Sequence, residues 1–257
     1  MITDEGKNEQ HFLVVLDFDD TIVEGNSEES VKSLLESRDI QFPCSMVNHY
    51  EKHKDWNYYI NLLYEFLHEN DIKQKDIVDS LHKISFVKGS FEMLQKVAEM
   101  KKTRNIDVII ISGGNVLVIE KILENAGLRH VIDEILSNPV SVEPNGLLKI
   151  GLLNTHSCNY CFSGEMCKGV VVRNYLNRKK AERNIDFDKV FFAGDYLNDI
   201  CLCLEMREQD FVMARHQFPL EKDLENRKVK GQLKANLISW KTGYDVMKVL
   251  EKQTELI

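Results

Sequence analysis

Asp17, Asp19 and Asp20 crowd the end of an apolar run, Phe12 to Leu16, in the segment Leu16-Asp17-Phe18-Asp19-Asp20-Thr21. Side chains two apart in an extended chain share a face, so Asp17 and Asp19 can address one cation and one reacting centre. Charge taken out of water without a partner is expensive, so carboxylates at the mouth of a buried strand usually have a metal or a substrate to justify them. An ordinary strand followed by an acidic turn would show the same tripeptide. The rest of the chain decides between the two.

Three further segments supply complementary groups. Ile109 to Ile111 runs into Ser112-Gly113-Gly114-Asn115, and Phe191 to Ala193 runs into Gly194-Asp195-Tyr196-Leu197-Asn198-Asp199. Lys168 follows a cysteine-rich loop and opens the helical stretch Val170 to Leu176. Ligands of open α/β sheets bind outside the carboxyl ends of the strands, where these groups can converge on Asp17. Their types suit attack on a phosphate monoester, whose charge repels an aspartate nucleophile unless a cation and positive donors are present. Mg²⁺, a hard ion, would be held by the carboxylates of Asp17 and Asp195, the backbone carbonyl of Asp19 and waters. The Ser112 hydroxyl, the Lys168 ammonium and N–H groups after Asp17 would hold the phosphoryl oxygens. A covalent aspartyl-phosphate follows, with Asp19 placed to protonate the leaving oxygen and later to activate water. Taken singly, Ser112 reads as a helix cap, Lys168 as an exposed charge, and Asp195 and Asp199 as caps after a tight turn. In this order against the strands they read as one site.

The elements that must position these groups alternate. Short apolar runs at Phe12–Leu16, Val108–Ile111, Val131–Ile135, Val190–Ala193 and Phe211–Met213 read as strands, and Phe91–Met100, Val116–Ala126 and Val170–Leu176 have helical spacing. Alternation of this kind implies a three-layer, Rossmann-like α/β core with a parallel sheet covered on both faces. The turn Ser112 to Asn115 caps one helix and Gly127 ends it. Residues 26–86 break the alternation with helical patches at Ser30–Leu35 and Trp56–Leu67, a helical cap inserted after the first strand. The expected division is a flexible N-terminus at 1–10, an α/β core at 11–25 and 87–257, and the cap at 26–86. Tyr50, Trp56, Tyr58, Tyr59, Tyr64 and Phe66 give the cap a small core of its own, with one or two available to line a pocket.

The ordered set closely resembles the haloacid dehalogenase-like phosphatase superfamily, with motifs covering Leu13 to Asp199. Asp17 to Val23 continuing to Asn26-Ser27, Thr155-His156-Ser157-Cys158-Asn159 through Cys161 to Cys167-Lys168, and Asn198-Asp199 look like the phosphoethanolamine/phosphocholine phosphatase family, its pyridoxal phosphate phosphatase-like branch in particular. The likeness extends to Ser239-Trp240 and Gly243-Tyr244-Asp245-Val246. It implies that Asp17 is the nucleophile, that Asp19 is the proton donor, that Asp17, Asp19 and Asp195 bind Mg²⁺, and that the helical insertion closes over the substrate. Thr21, Asn198 and Asp199 belong to the same motifs as supporting residues.

The chain departs from that pattern where the substrate's organic part would lie. Gly113 stands where the family usually has an aspartate, and Glu28 where it usually has an aspartate at the cap entrance; Tyr196 replaces a smaller residue. A missing carboxylate weakens the case for a cationic headgroup. Phosphoethanolamine, phosphocholine and pyridoxal 5′-phosphate are the substrates the resemblance suggests. The rival readings are a phosphoserine phosphatase-like enzyme and a non-catalytic protein that keeps the fold to bind a partner.

His156, Cys158, Cys161 and Cys167 fall within a dozen residues and could form a tetrahedral zinc site, a redox dithiol or plain packing. Cys201 and Cys203 sit in an apolar helical run and read as core; Cys44 carries no signal.

Composition narrows the classes. The 257 residues are 43% hydrophobic and 29% charged, ordinary for a globular protein. A net charge of −8 supplies no field for a phosphate backbone, which argues against nucleic-acid binding. No stretch has the length of a membrane span, and the acidic, polar segment Met1 to Gln10 resembles neither a signal nor a transit peptide, so a cytoplasmic protein is expected. The expected partner is a small phosphomonoester; oligomeric state has no sequence signal.

Overall fold

The computed structural model describes residues 10–161 and 165–255; the expected flexible N-terminus lies almost wholly outside them. The strands are β1 (His11–Leu16), β2 (Asn105–Asn115), β3 (Glu134–Asn138), β4 (Val140–Val142), β5 (Leu148–Ile150), β6 (Lys189–Gly194), β7 (Phe211–Arg215) and β8 (Asn236–Trp240). The α-helices are α1 (Ser33–Glu36), α2 (Cys44–His53), α3 (Trp56–Glu69), α4 (Gln74–Ser80), α5 (Ser90–Met100), α6 (Val116–Asn125), α7 (Lys168–Arg183), α8 (Ile200–Glu205), α9 (Pro219–Val229) and α10 (Gly243–Gln253).

Six strands pair in the order β3-β2-β1-β6-β7-β8, all parallel. Strands buried on both faces must be apolar throughout, which is why Phe12 to Leu16 is a continuous apolar run and not an alternating one. Phe12, Val14 and Leu16 face one core with Leu94 and Val97 of α5, Ile119 and Ile122 of α6, and Leu250 of α10. Leu13 and Val15 face the other, with Val171 and Val172 of α7, Leu202 of α8, and Leu220 and Leu224 of α9. The three-layer α/β core expected from the sequence is present.

The chain leaves β1 toward β2 on one side and reaches β6 on the other, so the strand order reverses beside β1. A crevice opens at the carboxyl ends of strands at such a point. Leu16 pairs with Ile110 and Ala193, and the Asp17 N–H donates to the Ala193 carbonyl at 2.9 Å. Asp17 and Asp195 are thereby carried to the same edge of the sheet by adjacent strands.

Between Ile22 and Val87 the described chain forms a 3-10 turn at Glu29–Lys32, helices α1 to α4 and a second short 3-10 turn. Tyr59, Ile60, Leu63, Tyr64 and Leu67 of α3 are buried at helical spacing, joined by Leu35, Ile77 and Leu81. The ends of this segment are tied together: Val23 bridges Phe86, the Glu24 N–H donates to Ser85 O at 2.9 Å, and the Val87 N–H to Ile22 O at 3.0 Å.

Several elements differ from the sequence reading. The third strand begins at Glu134, not Val131, because Arg129–Val131 forms a 3-10 turn and Asp133 binds both backbone groups of Val108, N–H to carboxylate at 2.7 Å and carbonyl from its own N–H at 2.8 Å. The patch Ser30–Leu35 splits into the 3-10 turn and the four-residue α1. β8, a short edge strand, and the antiparallel ribbon of β4 and β5 are not among the strands read from the sequence. The Asn115 side chain accepts the Val118 N–H at 3.0 Å, and Gly127, at φ +69°, takes the chain out of α6 in the left-handed region.

Candidate active site

Asp17 is buried at the end of β1, and its Oδ1 accepts the Phe18 N–H at 2.7 Å. Lys168 Nζ lies 2.8 Å from the same oxygen and 2.6 Å from Asp199 Oδ1, with 1% of the lysine side chain exposed. Burial works against the ammonium, but the two carboxylates outweigh it and hold Lys168 charged, well above the usual lysine range. Asp199 Oδ2 accepts the N–H groups of Asp195 at 3.3 Å and Tyr196 at 3.4 Å, so it joins the lysine to the turn after β6.

Oxygens of Asp17, Asp195 and Asp199 lie within 4.8 Å of one another, all three residues buried. Burial, and then the negative charge of Asp17 and Asp199, push the Asp195 carboxyl upward. Lys168 alone among the described residues is ion-paired to Asp17 and Asp199, so negative charge is in excess. This buried set of hard oxygen donors fits a divalent cation such as Mg²⁺.

Asp19 turns a different way. Its Oδ1 accepts the Ser27 N–H at 2.9 Å, and burial pushes the carboxyl up to about 7 against the pull of Ser27. Its carboxylate is not part of the cation-ready group, while it lines the same cleft. Asp20 occupies the left-handed region at φ +51°, where its carbonyl accepts from Arg215 Nη1 at 2.6 Å. Thr21 is buried, and its hydroxyl has no partner among the described residues.

Across the cleft, β2 bulges between Ser112 and Asn115. The Ser112 hydroxyl accepts the Gly114 N–H at 3.2 Å, the Ser137 hydroxyl donates to Gly114 O, and Asn138 Nδ2 donates to Gly113 O at 2.8 Å. Side chains from β3 thus fix the Ser-Gly-Gly turn. Gly113 faces open space: a Cβ there would find only Asn198 Nδ2, at 3.8 Å.

The cleft has a volume of about 480 Å³. Asp17, Asp19, Ser112, Gly113, Asp195 and Asn198 line it, together with Tyr50, Lys54, Trp56, Tyr160, Glu165 and Tyr196. Burial pushes the Glu165 carboxyl up to about 7. Sequence reasoning did not single out Glu165, Lys54 or Asn138, since nothing in their local pattern marks them. Glu28 is not among the lining residues. The residue is 1% exposed, its carboxylate accepting from Asn115 Nδ2 at 2.6 Å and Trp56 Nε1 at 3.1 Å, and burial followed by the charge of Asp19 pushes the carboxyl up to about 8.

The cysteine loop assembles differently from the sequence reading. The sulfurs within 4.8 Å of one another are those of Cys158, Cys161, Cys167 and Cys201. His156 is not in this group, and both its ring nitrogens have other partners: Nδ1 accepts the Cys158 N–H at 3.2 Å and Nε2 lies 2.9 Å from Glu165 O. Cys201, read as core, takes the place of His156; Cys203 is core and Cys44 exposed.

A model of a family described as Putative Phosphatase matches residues 12–254. The chain is 25% identical over 240 residues to pyridoxal phosphate phosphatase PHOSPHO2 of Rattus norvegicus, covering 93% of this chain and 97% of the relative. It is 30% identical over 237 residues to phosphoethanolamine/phosphocholine phosphatase of Homo sapiens, covering 91% and 86%. Among solved structures it resembles a phospho-aspartyl intermediate analogue of phosphoserine phosphatase, with TM-score 0.58, 16% identity and coverage of 94% and 99%. An apo phosphoserine phosphatase gives TM-score 0.59, 17% identity and coverage of 93% and 98%. The structural likeness extends the agreement to the fold, and the match over nearly the whole described chain makes this protein a member of the putative phosphatase family, an enzyme family of the haloacid dehalogenase-like fold.

Proposed function

We propose that this chain is a Mg²⁺-dependent phosphomonoester hydrolase that works through an aspartyl-phosphate on Asp17 and acts on a small phosphorylated metabolite. The observation that carries this reading is the placement of Asp17 at the strand-order reversal, beside Lys168 and within 4.8 Å of Asp195, in a cleft that also holds Asp19 and Ser112.

Asp17 and Asp195, with the Asp19 backbone carbonyl, would hold Mg²⁺, which when bound offsets the phosphate's charge against the attacking carboxylate. Lys168, fixed by Asp199, keeps positive charge beside Asp17, and the Ser112 hydroxyl offers a donor to a phosphoryl oxygen. Attack by a carboxylate oxygen of Asp17 on phosphorus forms the new O–P bond as the ester O–P bond breaks, and the leaving oxygen takes its proton from Asp19. With its carboxyl near 7, Asp19 can hold that proton at neutral pH and, once ionised, accept one from the water that hydrolyses the acyl phosphate.

The helical segment 26–86 is proposed as the cap, hinged where Val23 and Phe86 pair. Asn26, Tyr50, Lys54 and Trp56 carry its contribution to the cleft wall, and a space of about 480 Å³ suits a metabolite and not a protein surface. Phosphoethanolamine, phosphocholine and pyridoxal 5′-phosphate are the proposed substrates, since relatives are named for acting on them. A phosphoserine phosphatase-like role is second. Rapid acid quench during turnover, followed by peptide mass spectrometry, should find phosphate on Asp17; turnover without phosphate on any aspartate would refute the mechanism.

A further inference from the structure

We propose that Cys158, Cys161, Cys167 and Cys201 bind one zinc ion as a tetrathiolate, and that this ion clamps the loop carrying Lys168 to the helix that follows Asp199. The sulfurs come from two parts of the chain and converge: Cys161 Sγ is 3.4 Å and Cys167 Sγ 3.7 Å from Cys201 Sγ, with all four sulfurs inside 4.8 Å. A tetrahedron of thiolates with Zn–S bonds of about 2.3 Å has edges of about 3.8 Å. The cluster already has nearly that size, and its cysteines are free of disulfides.

The surroundings suit thiolates. The Gly169 N–H donates to Cys201 Sγ at 3.2 Å and the Tyr160 N–H to Cys158 Sγ at 3.4 Å. Such amide donors stabilise charge on ligand sulfurs and orient them. The sixteen-residue α7 begins right after Cys167, so its N-terminal dipole also favours negative charge there. The close approach of the two elements is permitted by Gly169, where a Cβ would lie 2.8 Å from the Cys201 carbonyl oxygen. Soft sulfur ligands in a tetrahedral set select zinc over Mg²⁺, so this site and the carboxylate cluster would not compete for one ion. Binding displaces the thiol protons to solvent, with no redox step.

The placement gives the ion a consequence. Cys167 directly precedes Lys168 and Cys201 lies two residues after Asp199, the pair whose side chains meet at 2.6 Å. The same loop carries Tyr160, Glu165 and Met166 to the cleft wall. A metal at the four sulfurs would therefore be a positioning device for both the lysine and the substrate-facing loop. The inference does not rest on the phosphatase reading, because metal content is measured without a substrate.

The test is elemental analysis of the full chain purified without chelators from zinc-supplemented medium, together with Co²⁺ substitution and the variants Cys201→Ser and His156→Ala. About one equivalent of zinc is expected in wild type, with the absorption of a tetrahedral cobalt tetrathiolate, retained in His156→Ala and lost in Cys201→Ser. Zinc-free wild type after reconstitution, whether its thiols are free or paired in disulfides, would overturn the proposal. So would loss of zinc in a folded His156→Ala, or a cobalt spectrum with nitrogen ligation. Because wild type and His156→Ala decide the matter, a Cys201→Ser chain that fails to fold does not shelter it.

Discussion

Lys168 Nζ stands 2.8 Å from Asp17 Oδ1 with both side chains almost wholly out of solvent, and it makes a second contact of 2.6 Å to the fully buried Asp199. A lone buried ammonium would be forced neutral; here the two carboxylates beside it hold Lys168 in its charged form. The residues are 151 positions apart in sequence, so the fold itself brings the charge to the proposed nucleophile.

Deleting that charge should affect stability and turnover together. Lys168→Met keeps an unbranched stem and removes the ammonium, leaving Asp17 and Asp199 facing each other without compensation. Breaking a buried ion pair from one side costs about 3–5 kcal/mol. Denaturant unfolding of the variant should show a loss of that order without added divalent cation, and phosphate release should fall to background. A variant as stable as wild type would mean that Lys168 is not charged as described.

Glu28 should make stability depend on pH. Its folded carboxyl sits at about 8 against an ordinary 4.5, raised first by burial and then by Asp19. The folded state therefore holds a proton that the unfolded state releases between those values. Its favourable contribution is fully present below 4.5 and is lost as pH rises toward 8. Glu28→Gln removes the titration, so the stability difference between variant and wild type should move in favour of the variant by about 1.4 kcal/mol per pH unit across that window. Parallel stability–pH curves would show that Glu28 is ionised in the folded protein.

Substrate choice should respond to position 113. A Cβ there meets nothing closer than Asn198 Nδ2 at 3.8 Å, so the backbone leaves room for a side chain to start at this position. Gly113→Asp places a carboxylate in the cleft wall. The ratio of kcat/KM for phosphocholine over an uncharged alkyl phosphate should rise about tenfold, equivalent to about 1.4 kcal/mol. An unchanged ratio would place the headgroup elsewhere, with Glu165 the next carboxylate to replace.

Much of this arrangement was legible in the sequence, for identifiable reasons. Asp17, Ser112 and Asp195 stand where apolar runs stop, and a strand end is a local signal that periodicity can find. The helical nature of 26–86 was legible because Trp56 to Leu67 keeps its apolar residues at helical spacing. What depends on distant contacts was not. Cys201 has the sequence neighbours of a core residue, and only the packing of α8 against the start of α7 brings it to the loop cysteines, a set that His156 does not join. Asn236 to Trp240 mixes Leu237, Ile238 and Trp240 with two polar residues over five positions, a pattern too short to announce a strand, yet an edge position tolerates it. Glu28 reads as a cleft residue, whereas in the fold it is buried and bound by Trp56 and Asn115.

The central claim is that Asp17 attacks phosphorus with help from a divalent cation. Its most direct test is phosphate release from phosphoethanolamine, phosphocholine, pyridoxal 5′-phosphate and phosphoserine, by wild type and Asp17→Asn, with Mg²⁺ and after its removal by chelator and dialysis. The account predicts release from at least one of these by wild type with Mg²⁺, and none from Asp17→Asn or from the metal-free enzyme. Equal release by Asp17→Asn, or release by wild type unaffected by removal of the cation, would contradict it.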